Sequence, residues 1–253
     1  MLRVIVVTAL AVLLTGGVAF AQIVELEGRY WFIGVDADVQ TTSEAIRGTN
    51  IDLSHDLGID GADAPEERLT FWAGPASRIR LAYTRLEFDA EETLSRTIKF
   101  SGVTFSENSR VATDIDIHYG RIAWIWQPLA IPGVLRFGGL FEAKGFVIDA
   151  HLRTLDVAPM VRKSVPIALV LPTLGLALDV TALPMLNVFV EASGLPAGNL
   201  GHIVDAEAGV RFVPIRFFSL SAGYRVLDIR AHEGGDFAKL NLSGPFVGAS
   251  LRF

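Results

Sequence analysis

The chain has no cysteine among its 253 residues. That excludes disulfides, thiolate metal ligands, a cysteine nucleophile and a lipidated cysteine anchor. Cations are also scarce: 22 Lys and Arg stand against 28 Asp and Glu, a formal charge of −6. An acidic chain of this kind has no broad basic surface, so nucleic acid is set aside as a partner. There is no GxSxG, no P-loop, and no histidine pattern with metal-ligand spacing. Long apolar runs are almost absent too. The hydrophobic fraction is 51% and the mean hydropathy +0.41, yet the apolar residues are spread over every second position. A helical membrane protein gathers them into runs of about twenty.

The N-terminus has the three parts of a secretory signal peptide. Arg3 is the positive region, Val4 to Leu14 the apolar core, and Ala19-Phe20-Ala21 a small-x-small cleavage site before Gln22. The apolar core is too short to span a bilayer. Cleavage leaves residues 22–253 as one domain, and losing Arg3 shifts the net charge from −6 to −7.

The rest of the chain reads as strands, because apolar and polar residues alternate with a period of two. In Val24 to Val39, Leu26, Tyr30 and Phe32 oppose Glu25, Glu27, Arg29 and Trp31. A slip in parity near Ile33-Gly34 predicts a bulge. Residues 40–66 read as a long polar loop, followed by a short strand from Glu67 to Ala73. Arg78 to Asp89 alternates again, and 93–118 reads as a projecting hairpin about Ser101-Gly102. From Asp114 to Gln127, Ile115, Ile117 and Tyr119 oppose Asp114, Asp116 and His118, with the acids and histidine assigned inward. Val134 to Asp149 is a strand, and 150–164 a loop.

The segment Ile167 to Leu186 is the exception to the short apolar runs. Pro172 and Gly175 lie inside it, and Leu174, Leu176, Leu178 and Val180 alternate with Gly175, Ala177, Asp179 and Thr181, which favours a strand over a helix. Leu186 to Gly194, Val204 to Phe212 and Phe218 to Val226 repeat the pattern. Pro245 predicts a bulge or kink in the last strand, with a second shift of parity. Short turns near 75, 130, 184 and 214 separate longer connections near 40–66, 101–102, 150–164, 195–202 and 232–235. The count is ten strands, with eight as the alternative if the short second strand or the 93–118 hairpin is miscounted.

The last strand, DFAKLNLSGPFVGASLRF, places Val247, Ala249, Leu251 and Phe253 on one face and stops on the aromatic. It resembles the C-terminal assembly signal of bacterial outer-membrane β-barrels, carried here by Leu251 and Phe253. The segments YRVLDIRAHEGGDFAKLNLSGPFVGASLRF and DAEAGVRFVP are similar to uncharacterised barrels of the OmpA/OmpW-like class. The resemblance implies an all-β fold, a closed antiparallel transmembrane β-barrel, in the outer membrane of a Gram-negative cell. It further implies export by the Sec route, insertion by the barrel assembly machinery through the C-terminal strand, and surroundings of outer-membrane lipid and lipopolysaccharide. It implies no activity.

In such a barrel the polar faces turn inward. The expected lumen network is Glu27, Arg29, Arg80, Asp114, Asp116, His118, Arg121, Arg136, Glu142, Asp179, Glu191, Asp205, Glu207, Arg211 and Arg225, with Arg68, Arg78 and Arg252 on the same faces. Charges of both signs in a barrel this narrow predict a paired ionic plug and a structural or interaction role. A narrow conduit for ions or small solutes is the alternative. A barrel enzyme acting on lipid or peptide ranks third, with His118 beside Asp116 as its strongest feature. His202 and His232, near Asp205 and Asp236, are weak cation candidates, and the acids of loop 48–63 lack calcium-loop spacing. No catalytic residue, metal or cofactor is assigned. The sequence leaves ligand and oligomeric state open.

Overall fold

The computed structural model describes residues 24–40, 49–100, 103–155, 162–233 and 236–253. The expected signal peptide and the Ser101-Gly102 turn lie outside these residues. Ten long strands form the wall: β1 (Val24–Gln40), β3 (Gly61–Trp72), β4 (Ser77–Thr93), β7 (Arg110–Ile131), β8 (Leu135–Thr154), β9 (Arg162–Leu183), β10 (Leu186–Pro196), β11 (Gly201–Ile215), β12 (Phe218–Glu233) and β13 (Asp236–Arg252). Each pairs antiparallel with its neighbour in this order, and β13 returns to β1 to close the barrel. At the seam Val24 and Phe253 exchange both backbone hydrogen bonds, at 3.3 and 2.8 Å. Closure leaves no unpaired edge, the condition for a sheet in hydrocarbon.

Three short elements lie outside the wall. β2 (Ile51–Asp52) pairs with β1, helix α1 (Leu53–Leu57) follows it, and β5 (Ile98–Phe100) pairs with β6 (Val103–Phe105) as a separate hairpin. Asp52 caps α1 by accepting from the amides of Ser54 and His55, and Gly58 ends it with φ of 71°, the left-handed conformation glycine adopts freely.

The alternation runs along each strand, interrupted by register shifts near the short turns at Trp126/Leu129, Leu186/Asn187 and Phe212/Ile215, and the two faces exchange character part-way up. Near the short turns, outward side chains are apolar and exposed, as with Ile122 (59%), Trp124 (48%) and Trp126 (46%) on β7. Leu26, Tyr30 and Phe32 on β1, and Ile79, Leu81 and Tyr83 on β4, extend this belt. Beyond it the outward positions are His118, Asp116 and Asp114 on β7, Arg85, Glu87 and Asp89 on β4, and Asp36 and Asp38 on β1. The interior changes in the opposite sense. Charged residues fill it at the level of the belt, and an apolar core that includes Ile33, Leu86, Ile117, Leu227 and Leu242 fills it above.

Length explains the exchange. The 22 residues of β7, at roughly 3.3 Å each and a tilt near 40°, rise about 55 Å along the axis. The apolar band of a membrane barrel is about 25 Å tall. Roughly half of the barrel therefore stands in water, where it obeys the soluble rule of apolar inside and polar outside.

This corrects several sequence expectations. No bulge occurs at Ile33-Gly34: β1 holds one register against β13 from Glu25↔Arg252 to Gln40↔Phe237. What looks like a slip is the change of medium. The same holds for Asp114, Asp116 and His118, which point outward into water, while Ile115, Ile117 and Tyr119 point inward. Pro245 makes no bulge either; β12 and β13 stay in register through Tyr224↔Pro245. The β1–β13 ladder omits pairs only opposite Gly244-Pro245, where proline has no N–H to donate. The second strand begins at Gly61, not Glu67, so part of the expected 40–66 loop is wall.

Candidate functional site

The lumen at the level of the lipid belt holds a buried ionic network. The strands bring these groups together because inward positions on opposite walls face one another across a narrow barrel. Arg68 on β3 donates to both oxygens of Glu207 on β11, at 2.9 and 2.6 Å, and also pairs with Glu66. Arg29 donates to Glu27 at 2.8 Å and to Glu207 at 3.2 Å. Arg225 on β12 donates to Asp205 at 3.0 and 2.9 Å and, across the lumen, to Glu66 at 2.6 Å. Arg121 reaches the same Glu66 oxygen at 2.6 Å.

Lys144, with 0% of its side chain exposed, bridges Glu142 and Asp205, at 2.7 Å each. An isolated buried charge is several kcal/mol unfavourable, so these groups persist only because each is paired and hydrogen-bonded.

Nearer the short turns, Arg80 grips Glu191 with two hydrogen bonds of 2.6 and 2.9 Å. Arg78 joins Glu191 to Asp179, 3.2 Å from each, and Gln127 donates to Asp179 at 2.8 Å. Arg136 lies 3.7 Å from Asp179, and Glu25 pairs with Arg252. The indole of Trp72 has the guanidinium groups of Arg78, Arg136 and Arg252 within 5.2 Å of its ring. This end opens into a cavity of about 520 Å³ that Asp179, Arg136, Arg211 and Arg252 help to line.

An aromatic layer covers the network on its other side. Tyr119, fully buried, stacks on Phe146 at 4.4 Å and donates to Asp205 at 2.9 Å. Trp31 donates to the carbonyl of Gly244 at 3.1 Å. Toward the turn end, Phe189, which lines the cavity there, is followed across adjacent strands by Gly209, Gly223 and Phe246. A Cβ on Gly209 or Gly223 would lie 2.8 Å from the Phe189 ring or 2.7 Å from the Phe246 ring. The two glycines thus give these rings their space, and Arg29 stands 4.4 Å from the Phe246 centroid and 5.6 Å from that of Phe189.

Of the expected lumen residues, Glu27, Arg29, Arg80, Arg121, Arg136, Glu142, Asp179, Glu191, Asp205, Glu207 and Arg225 join this assembly. Arg211 lies beside it over the Phe189 ring, 5.5 Å from its centroid. Asp114, Asp116 and His118 do not. Arg85 donates to Asp116 at 2.6 Å, and His118 Nδ1 shares a 2.6 Å hydrogen bond with the Tyr83 hydroxyl, all on the outer wall.

Glu66, Lys144 and Tyr119 complete the network without having been assigned to it. Lys144 shares parity with Glu142, and Tyr119 with Arg121. Glu66 is recovered only by running the period back to Gly61. Among the described residues no group of His, Asp and Glu is placed to hold a metal ion. His202 bonds Asp228 at 2.7 Å, not Asp205.

No family model and no curated protein matches the chain. Solved structures do. The chain is similar to the outer membrane protease OmpT from Escherichia coli, with a TM-score of 0.61 and 8% identity over 94% of this chain and all of that one. It is also similar to the translocator domain of the autotransporter NalP from Neisseria meningitidis, with a TM-score of 0.52 and 11% identity over 99% of this chain and 96% of that one. Identity this low conveys fold alone. With the lipid-facing belt and the closed ten-strand sheet, the fold defines an outer-membrane β-barrel protein.

Proposed function

We propose that this protein is a sealed barrel with a structural or interaction role at the cell surface. The supporting observation is the two-layer closure of the lumen: Arg68, Arg225 and Lys144 are at most 2% exposed within the network, and Tyr119 and Trp31 cover it. A water-filled conduit requires hydrated lumen charges, whereas these are consumed by one another. The outer half of the barrel is then a rigid column that carries its loops clear of the lipid.

Export through residues 1–21, insertion through the strand ending Leu251-Arg252-Phe253, and a surround of lipid and lipopolysaccharide belong to the same reading. Deleting Phe253 is expected to slow insertion by the assembly machinery; unchanged insertion would count against that role.

A narrow channel is the second reading, favoured by the cavity at the turn end of the lumen. Planar-bilayer recording decides between them. A sealed barrel gives no resolved steps, and salt-dependent steps would establish a conduit. OmpT is a protease; for this chain the corresponding proposal is that His118→Ala leaves any hydrolysis by purified protein unchanged.

A further inference from the structure

The protruding half of the barrel has an apolar interior, and such interiors normally pack without voids larger than a water molecule. This one leaves a cavity of about 210 Å³. Val39 on β1 and Leu240 on β13 form one side, Ile115 and Ile148 on β7 and β8 the opposite side, and Leu57 of α1 borders it. One polar side chain sits on an inward position there. Thr113 is 4% exposed, and its hydroxyl is buried with no hydrogen-bond partner among the described residues. Ile167, also on the inward face and paired with Ile148, keeps 46% of its surface exposed. Among the described residues, the cavity is therefore reachable from the side away from the lipid belt.

We propose that the outer end of the lumen binds a small apolar molecule. Two observations fit this class together. The aliphatic lining favours an apolar body, since water in such a cavity finds too few polar partners to remain. The volume suits a guest somewhat larger than benzene, which a dry protein cavity of about 150 Å³ accommodates. The plug and aromatic layer beneath the cavity make it a dead end, so the site captures its ligand from the outer side and does not pass it through the membrane.

The test uses the full-length mature barrel in lipid nanodiscs, with fluorobenzene as the probe read by fluorine NMR, and nanodiscs without protein as the control for lipid partitioning. The expected result is a saturable shift with wild type. Ile115→Trp, or Ala150→Leu if the first variant fails to fold, fills the space and should abolish saturable binding. A titration that matches nanodiscs without protein would overturn the proposal, as would saturable binding that survives the filling variant.

Discussion

Arg80 and Glu191 form the simplest pair in the plug, and their removal singly and together tests how the lumen is stabilised. Arg80 is 8% exposed, Glu191 is 6% exposed, and two short hydrogen bonds join them. With charge centres roughly 4 Å apart and an effective dielectric constant near 20, their attraction is about 4 kcal/mol. Arg80→Met leaves Glu191 with only the 3.2 Å contact from Arg78. Losing one partner of a buried pair is expected to destabilise by about 3–5 kcal/mol.

The double variant Arg80→Met/Glu191→Leu removes both charges, and Arg78 keeps Asp179 at 3.2 Å. Because apolar residues of similar volume replace buried pairs with little loss, it should lie within about 1–2 kcal/mol of wild type. Urea unfolding in phospholipid vesicles, followed by tryptophan fluorescence, measures both values. A single variant that loses under about 1 kcal/mol would show that water screens the pair, and the sealed-plug argument would fail. A double variant worse than the single one would refute the claim that unpaired charge is what destabilises.

The outer elements and the aromatic layer make further predictions. Burial alone would raise the Asp56 carboxyl, but the Arg96 hydrogen bonds and the Asp52 amide outweigh it and hold the group below its ordinary 3.8. Its contribution is therefore full above that value and fades as the pH falls through the lowered one. The protection of the Ile59 amide, which bonds the Leu53 carbonyl, measured as hydrogen exchange relative to an unstructured amide at the same pH, should fall below about pH 4; Asp56→Asn should show the lower protection at pH 7. Protection independent of both would contradict this assignment. Gly223→Val places a Cβ in collision with the Ala208 carbonyl oxygen and 2.7 Å from the Phe246 ring, and overpacking of this kind is typically worth about 1–3 kcal/mol or more. Gly120→Val, with open space around it, should lose under about 1 kcal/mol; equal losses at the two sites in the same unfolding assay would refute the packing account.

Alternation reveals which residues share a face but not which face is inside, and that is why the sequence was readable in some places and misleading in others. On β9, Leu174, Leu176 and Leu178 against Ala177 and Asp179 needed no further information, since the whole stretch lies in lipid. On β1 and β7 the medium changes along the strand. A constant parity then looks like a bulge at Ile33-Gly34, or like an inward acid row at Asp114 and Asp116. The ten-strand count survived this because turns punctuate the chain whatever the medium. Partners inside the plug were out of reach: Arg68 and Glu207 are 139 positions apart, and only barrel closure sets them face to face. Lys144 and Tyr119 were legible in principle from the parity of Glu142 and Arg121.

The central claim is that one wall passes from lipid to water while its inward face passes from ions to hydrocarbon. The absence of native cysteine makes single labels on β7 a direct test. A fluorophore at Trp124 or Ile122 should be quenched by brominated lipid and protected from iodide, whereas at Asp116 or Asp114 iodide should quench and brominated lipid should not. Labels at Asp114 and Asp116 that are shielded from iodide would place those residues in the lumen or the bilayer and contradict the account.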